Sequence, residues 1–501
     1  MSAFPSGSTP GGRPFGGEWD WARNAARLYA RRPFLDADGQ AFTFGEWSRR
    51  VDRVAGFLSA QGLKPGDRAG ILLPAGVQAA ELVFAAIRAG IVLVPVNTRL
   101  HPAEVERLLS DAQPQLVLVA DTLRDRLSVG SGRAAVVTLG PFGADPERDP
   151  LLGDARGWAF EPGPEQIQSL IYTSGTTGSP KGAVLTLGQH WWNAVGSSLR
   201  LGHDPRDVWL LCLPLFHVGG QAILFRAAIG GNRVILEPRF DAGRVARWLS
   251  SGEVTLVSLV PTMLQRVLDA AVAPFSPRVR AVLLGGAAVA PALLERGRQA
   301  GLPLVPTYGM TETGSQMATV DPLDDDPRVG ARPLYAADID IFAPDAEGVG
   351  EIRVRGPQVS PGYWVGGRLQ EESGWLLTGD LGRLDEEGRL LVLDRRADLI
   401  VSGGENIYPA EIEAALLQDP RVTRAAVVPV ADPTWGQVPA AAVVLAAGAT
   451  ADAEALSQAL RTRLASFKIP RHWKVVREIP ETANGKILRR AVQGWFGEAD
   501  A

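Results

Sequence analysis

The chain has 501 residues, 46% hydrophobic and 21% charged, with a formal net charge of −4 and one cysteine, Cys212. That length exceeds what a single core serves and implies at least two domains of ordinary globular composition. The slightly acidic balance gives no support to nucleic-acid binding or a basic membrane surface, and one cysteine rules out an internal disulfide and suits a reducing compartment. Residues 1–17 are Gly/Pro/Ser-rich without a positive patch leading into an apolar run, so no signal peptide is expected. Apolar stretches are broken by Arg or Pro before membrane-spanning length, and a cytoplasmic location with no membrane span is the expectation.

In chain order, 18–63 reads as helical segments around a pairing of Phe34-Leu35 with Ala41-Phe42-Thr43-Phe44. Strands over 68–73, 91–96 and 115–119 then alternate with helices over 76–88 and 101–109, the order of a parallel, doubly wound sheet. After a short buried strand at 169–172, the alternation resumes with strands over 208–213, 233–236, 254–259, 279–284 and 302–307. Helices near 219–228, 241–251, 261–271 and 291–300 separate them. Near Asp321, Asp/Pro turns and short strands suggest a smaller β-rich lobe. A boundary is expected near 394–398, dividing 1–394 from a compact α+β unit, 395–501. That unit carries a Gly-rich turn, a helix opened by Pro409, two Val/Ala-rich strands and a helix over 452–466.

The stretch Thr173-Ser174-Gly175-Thr176-Thr177-Gly178-Ser179-Pro180-Lys181-Gly182 organises the rest. Glycines let backbone N–H groups turn toward an anion, hydroxyls add donors and Lys181 adds charge, which together make a phosphate cradle. The plainer reading is a flexible linker, but a linker would rarely place a single Lys after Pro at its end. It is not a Walker A loop: Pro180 stands where the second glycine should precede Lys181, and Gly182 replaces the metal-binding hydroxyl. These ten residues closely resemble the signature loop of the adenylate-forming superfamily, which includes acyl-CoA synthetases, luciferases and peptide-synthetase adenylation domains. The fold the resemblance implies is α/β, a large N-terminal domain with doubly wound parallel sheets and a small β-rich lobe, followed by a mobile α+β C-terminal domain.

Further motifs follow in the superfamily's order. Tyr308-Gly309-Met310-Thr311-Glu312 comes directly after a predicted parallel strand, where doubly wound folds place ligands. By resemblance Tyr308 stacks on adenine, Gly309 borders the acyl group, Thr311 contacts the α-phosphate and Glu312 coordinates Mg²⁺. Gly285-Gly286-Ala287-Ala288 is similar to the small-residue wall around adenine and acyl group. Asp380 in Thr378-Gly379-Asp380 matches the ribose-binding carboxylate, and Arg395 the arginine that touches ribose and phosphate. Ala397 falls at the hinge position, where a polar residue is more usual. The turn holding Gly403 and Gly404 matches the one that lines the pantetheine tunnel of CoA. Lys486, ending Glu481-Thr482-Ala483-Asn484-Gly485-Lys486, matches the catalytic lysine.

The reaction this implies begins with a carboxylate attacking the α-phosphate of ATP, with loss of pyrophosphate. The thiol of CoA then attacks the acyl-adenylate and releases AMP, the small domain rotating between the steps. His217, in Leu213-Pro214-Leu215-Phe216-His217-Val218-Gly219-Gly220, gates pocket and thiol approach in that family, though a lone His there is as readily a packed one. His190-Trp191-Trp192-Asn193, Trp209-Leu210 and Thr307 through Gln316 resemble o-succinylbenzoate–CoA ligases of menaquinone biosynthesis more than fatty-acyl or coumarate ligases. Ser315 and Gln316 then face the aromatic acid, and Arg226 neutralises its second carboxylate. Other aryl- or fatty-acid–CoA ligases, and adenylation enzymes that serve a carrier protein, stay open. A nucleotide-binding protein without catalysis is disfavoured by the presence of both Lys486 and Glu312. The partners are small molecules (a carboxylic acid, ATP and CoA), and the sequence leaves open whether the chain forms a homo-oligomer.

Overall fold

The structure, a computed structural model, describes residues 18–127, 134–143, 145–154, 160–174, 180–287, 289, 291–324, 326, 329–394, 399–480 and 487–496. Two large sheets dominate it. In a nine-stranded sheet, Leu304–Tyr308, Ala281–Leu284, Leu256–Leu259, Val208–Leu211, Arg233–Leu236 and Pro33–Ala37 lie side by side and parallel. Short antiparallel strands close its two edges. An eight-stranded sheet holds Ile167–Ser174, Val92–Pro95, Arg68–Leu72, Leu116–Ala120 and Ala135–Leu139 in parallel. The central strands read as continuous apolar runs because helices cover both faces of such sheets. Strand–helix–strand alternation thus builds the doubly wound architecture.

The helix Val77–Ala89 shows how the sheets share a core. Twelve of its residues are buried, and Gly90 ends it in the left-handed region at φ 69°. A helix apolar on every side must be surrounded. Its Phe84 meets Phe34, Trp47 and Phe225 edge-on, joining elements of both sheets into one aromatic cluster. A four-stranded antiparallel sheet, Asp338–Phe342, Gly350–Arg355, Leu376–Leu384 and Leu390–Asp394, forms the β-rich lobe expected after Asp321. A separate five-stranded sheet with the helices Pro409–Leu416 and Ala453–Arg461 makes up the C-terminal unit around its own core. Among the described residues no helix is long and apolar enough to cross a membrane.

Two local expectations change. The described ends of the signature stretch belong to paired strands: Ile167–Ser174 runs antiparallel to Pro180–Thr186, with Thr173 opposite Lys181 and Ser174 opposite Pro180. The helix expected over 452–466 stops at Arg461, and Ser466–Lys468 forms a separate 3₁₀ turn. There the backbone N–H of Ala465 donates to the Glu104 carboxylate at 2.6 Å, a partner 361 residues away that local propensity does not encode.

Candidate active site

The parallel strands of the nine-stranded sheet end on one side in a cavity of about 260 Å³. Gly285 and Gly286 follow the strand Ala281–Leu284, and Gly309 through Glu312 follow Leu304–Tyr308, as expected for ligands bound at the carboxyl ends of parallel strands. Gly286 has φ +80°, a conformation that a side chain would strain. At Gly309 the constraint is steric: a Cβ would lie 1.7 Å from the Ser315 carbonyl oxygen. Ser315 itself sits at φ 119°, a strained backbone for a residue with a side chain, and its chain direction carries Ser315 and Gln316 into the cavity wall.

One residue of that wall stands out electrostatically. Arg226 projects from the buried, almost wholly apolar helix Val218–Gly230 and is 5% exposed. Its Nη2 donates to Asn193 Oδ1 at 2.8 Å and to Ser315 Oγ at 3.4 Å, while its Nε finds no acceptor among the described residues. Burial pulls its pKa down to about 9, and no described carboxylate offsets this. A guanidinium stays charged at neutral pH even so, leaving a desolvated cation in the cavity wall. Asn193 braces the same wall from behind Arg226, donating to the carbonyls of Gln316 at 2.7 Å and Thr313 at 3.1 Å. Gln316 is buried, with Nε2 donating to Thr319 Oγ1 at 3.1 Å and Thr307 Oγ1 at 3.3 Å.

The nucleotide motifs converge beside this wall. The Tyr308 hydroxyl donates to Asp380 Oδ2 at 2.9 Å, so the aromatic and the acid are one unit. Tyr363 donates to Glu312 Oε1 at 2.8 Å, and burial together with Glu312 raises the Tyr363 pKa. Lys181 Nζ lies 5.6 Å from the Tyr363 ring, which brings signature loop and Glu312 together. Thr311 and Glu312 line the cavity; Ala287 is half-buried just beyond Gly286. No group of three or more His, Cys, Asp or Glu among the described residues could hold a metal alone. A lone carboxylate suits Mg²⁺, which keeps waters and takes phosphate oxygens as further ligands. Thr173 and Ser174 are described only as strand backbone, and Gly175, Thr176, Thr177, Gly178, Ala288, Arg395, Ala397 and Lys486 lie outside the described residues.

The C-terminal unit closes the other side of the cavity with Gly403, Gly404, Glu405 and Asn406. Glu405 accepts from Asn97 Nδ2 at 2.9 Å, pairs with Arg99 at 3.0 Å and lies 3.5 Å from His217 Nε2. Burial opposes the Glu405 carboxylate, but His217, Arg99 and Asn97 outweigh it and hold its pKa below the usual value. Sequence reasoning missed Asn193 as a site residue, and also Glu405, Asn97 and Tyr363. Asn193 and Glu405 stood within stretches already singled out, whereas Asn97 and Tyr363 adjoin no recognised motif and gave no advance signal. Trp191 and Trp192 pack instead against Trp19 and Tyr335, 6.0 and 6.2 Å between ring centroids.

A phosphate-type signature stretch, a Tyr-Gly-Met-Thr-Glu strand end and an apposed glycine turn of a second unit define an adenylate-forming site. Family models agree: that of the AMP-binding enzyme matches residues 22–364 and that of its C-terminal domain matches 411–486. The chain belongs to the AMP-binding enzyme family. Among curated relatives, the 2-succinylbenzoate–CoA ligase of Geobacillus kaustophilus is 39% identical over 484 residues, covering 95% of this chain and 97% of its own. Among solved structures, a double mutant of the o-succinylbenzoate CoA synthetase of Bacillus subtilis, bound with the product analogue OSB-NCoA, superposes with a TM-score of 0.85 at 36% identity. The same synthetase in complex with the acyl-adenylate intermediate OSB-AMP gives 0.68 at the same identity; each comparison covers 95% of this chain and 98% of the other.

Proposed function

We infer that this chain is an AMP-forming acid–thiol ligase that converts 2-succinylbenzoate, ATP and CoA to 2-succinylbenzoyl-CoA, AMP and pyrophosphate, as its curated relatives are named for doing. The observation that carries the acid is Arg226, a buried cation without a described acidic partner in the cavity wall. A monocarboxylic fatty acid would leave it unpaired once its own carboxylate reached the phosphate; a diacid supplies the missing charge. Ser315 and Gln316 border the aromatic part, and the backbone around Gly285, Gly286 and Gly309 leaves room for the acyl chain.

In this reading the signature stretch 173–182 grips the triphosphate, Tyr308 and Asp380 hold adenosine, and Thr311 meets the α-phosphate. Glu312 with phosphate oxygens would hold Mg²⁺, which supplies charge neutralisation when bound. Lys486 stabilises the charge developing at phosphorus, and Arg395 reaches the nucleotide from the junction between 1–394 and 395–501. His217 gates the thiol's approach, and Gly403 and Gly404 leave a narrow path for pantetheine. A cleft of about 760 Å³ leads away beside Gly403, lined by Arg99, Arg126, Arg239, Arg266 and Arg461. Its charge fits the three phosphoryl groups of CoA.

Steady-state assays with CoA and 2-succinylbenzoate, benzoate, coumarate or octanoate test the acid. The expected result is a kcat/KM for 2-succinylbenzoate at least about a hundredfold above the monoacids, since a pocket built around a charge rejects ligands lacking its partner. Efficient turnover of octanoate with none of the diacid would defeat the assignment.

A further inference from the structure

Beside the acyl cavity, in an adjoining pocket of about 100 Å³ that also borders His217, Thr311 and Glu405, the C-terminal unit rests on the helix Pro102–Ala112 through a buried charge cluster to which the chemistry above assigns no role. Lys468, in the 3₁₀ turn Ser466–Lys468, donates to Glu104 Oε1 at 2.5 Å and to Glu411 Oε2 at 2.8 Å. Glu104 Oε2 accepts the Ala465 N–H at 2.6 Å and also caps its own helix through the His101 N–H at 2.9 Å. All three charged residues are buried, at 5%, 4% and 7% exposure for Glu104, Lys468 and Glu411. Burial works against the Lys468 ammonium, but Glu411 and Glu104 keep it protonated, and Arg107 stands 3.9 Å from Glu411 as a half-exposed fourth member.

The division of these groups between units matters. Glu411 and Lys468 belong to the C-terminal unit, Glu104 to the large one. A buried ion pair whose partner is removed leaves an uncompensated charge, so such a contact is held whole or given up together with the water-excluding interface. The cluster therefore distinguishes sharply between the unit docked as here and any other placement. This placement superposes well on the synthetase bound with a CoA product analogue and less well on the same synthetase bound with its acyl-adenylate, at equal identity and coverage.

We propose that Glu104 and Lys468 are positioning residues for the thioester-forming half-reaction, locking the C-terminal unit where its Gly403–Gly404 turn borders the acyl cavity. The proposal rests on the two-step ligase reading. Both line the adjoining pocket and not the acyl cavity itself, and each acts by fixing the placement of the unit that carries the glycine turn. Removing the lock leaves adenylate formation, which needs a different placement, untouched.

The test separates the half-reactions in the full-length protein. Adenylate formation is read as 2-succinylbenzoate-dependent exchange of labelled pyrophosphate into ATP. Thioester formation is read in single turnovers from supplied 2-succinylbenzoyl-adenylate and CoA. For Lys468→Met and Glu104→Gln the expected outcome is exchange within about twofold of the parent and thioester formation slowed at least about tenfold, a split in partial reactions that general destabilisation does not produce. Glu104→Gln keeps a helix-capping side chain and an acceptor for the Ala465 N–H, so it decides the matter should Lys468→Met fail to fold. Equal loss in both half-reactions, or an undiminished thioester step in Glu104→Gln, overturns the proposal. Absence of exchange in the parent protein would instead refute the ligase reading itself.

Discussion

At the scale of single residues, the site is organised by what its side chains lack. Arg226 is held by Asn193 and Ser315 but left without a described counter-ion, which is why the proposed function pairs it with the second carboxylate of the acid. Replacing it, Arg226→Leu should raise KM for 2-succinylbenzoate about a hundredfold or more, the usual cost of removing one member of a desolvated charge pair. Activity toward monoacids should be unchanged or improved, and parallel KM measurements across both acid types check this. Gly309 is a steric counterpart: with a Cβ 1.7 Å from the Ser315 oxygen, Gly309→Ala must displace the segment that orients Ser315 and Gln316. Pyrophosphate exchange should then fall by about 10²-fold, the scale expected for a misplacement of order 1 Å.

His190 illustrates a different kind of deficit. Both of its ring nitrogens are buried without partners among the described residues, and burial, assisted by nearby Arg226, depresses its pKa from 6.5 to about 3. The unfolded chain therefore takes up this proton before the folded one does. The neutral ring carries no penalty above pH 6.5, and stability declines as pH falls from 6.5 toward about 3. Between pH 6.5 and 5 the loss is about 2 kcal/mol from this residue, at roughly 1.4 kcal/mol per pH unit. Denaturant titrations of parent and His190→Phe at pH 7 and pH 5 should show a shallower acid loss in the variant.

At the scale of elements, the alternation of strands and helices was legible because parallel strands buried on both faces are apolar runs and the segments between them carry helix-spaced apolar residues. Arg68–Leu72, Arg233–Leu236 and Ala281–Leu284 all fall within a few residues of their expected places. What the sequence concealed was decided by distant partners. The 452–466 segment has helical character, yet its end is given over to Glu104 of the other unit. Asn193 reads as one polar residue on a helix until folding brings Arg226, 33 positions on, to its Oδ1. The recognised motifs were visible because each has chemistry compressed into a few neighbouring residues; Glu405, by contrast, gains its partners Asn97, Arg99 and His217 only through docking of the two units. The basic cleft is likewise assembled from several elements. If it receives the phosphates of CoA, Arg239→Ala with Arg266→Ala should raise KM for CoA about tenfold or more, more steeply at low ionic strength, with KM for the acid unchanged.

At the scale of the whole molecule, the family resemblance requires two chemical steps from a site that the C-terminal unit completes in two different ways. The structure holds that unit with its glycine turn against the cavity, as Gly403, Gly404 and Glu405 among the lining residues attest. Lys486 is assigned to the other step. Lys486→Ala should abolish pyrophosphate exchange, by about 10²-fold or more for a residue that stabilises developing charge, while sparing thioester formation from supplied acyl-adenylate. That pattern is the mirror image of the one expected for Glu104→Gln, and together the two variants assign one face of the unit to each step.

The central claim is that a buried, ligand-seeking cation makes this adenylate-forming site one for an aromatic diacid. Its most direct test is exchange of labelled pyrophosphate into ATP by the purified protein with 2-succinylbenzoate, beside 4-oxo-4-phenylbutanoate and 2-butanoylbenzoate, which each keep one of its two carboxylates. Strong exchange with the diacid and, for both monoacids, a specificity constant at least about a hundredfold lower is the predicted result. Comparable exchange with either monoacid, or none with any acid, would contradict it.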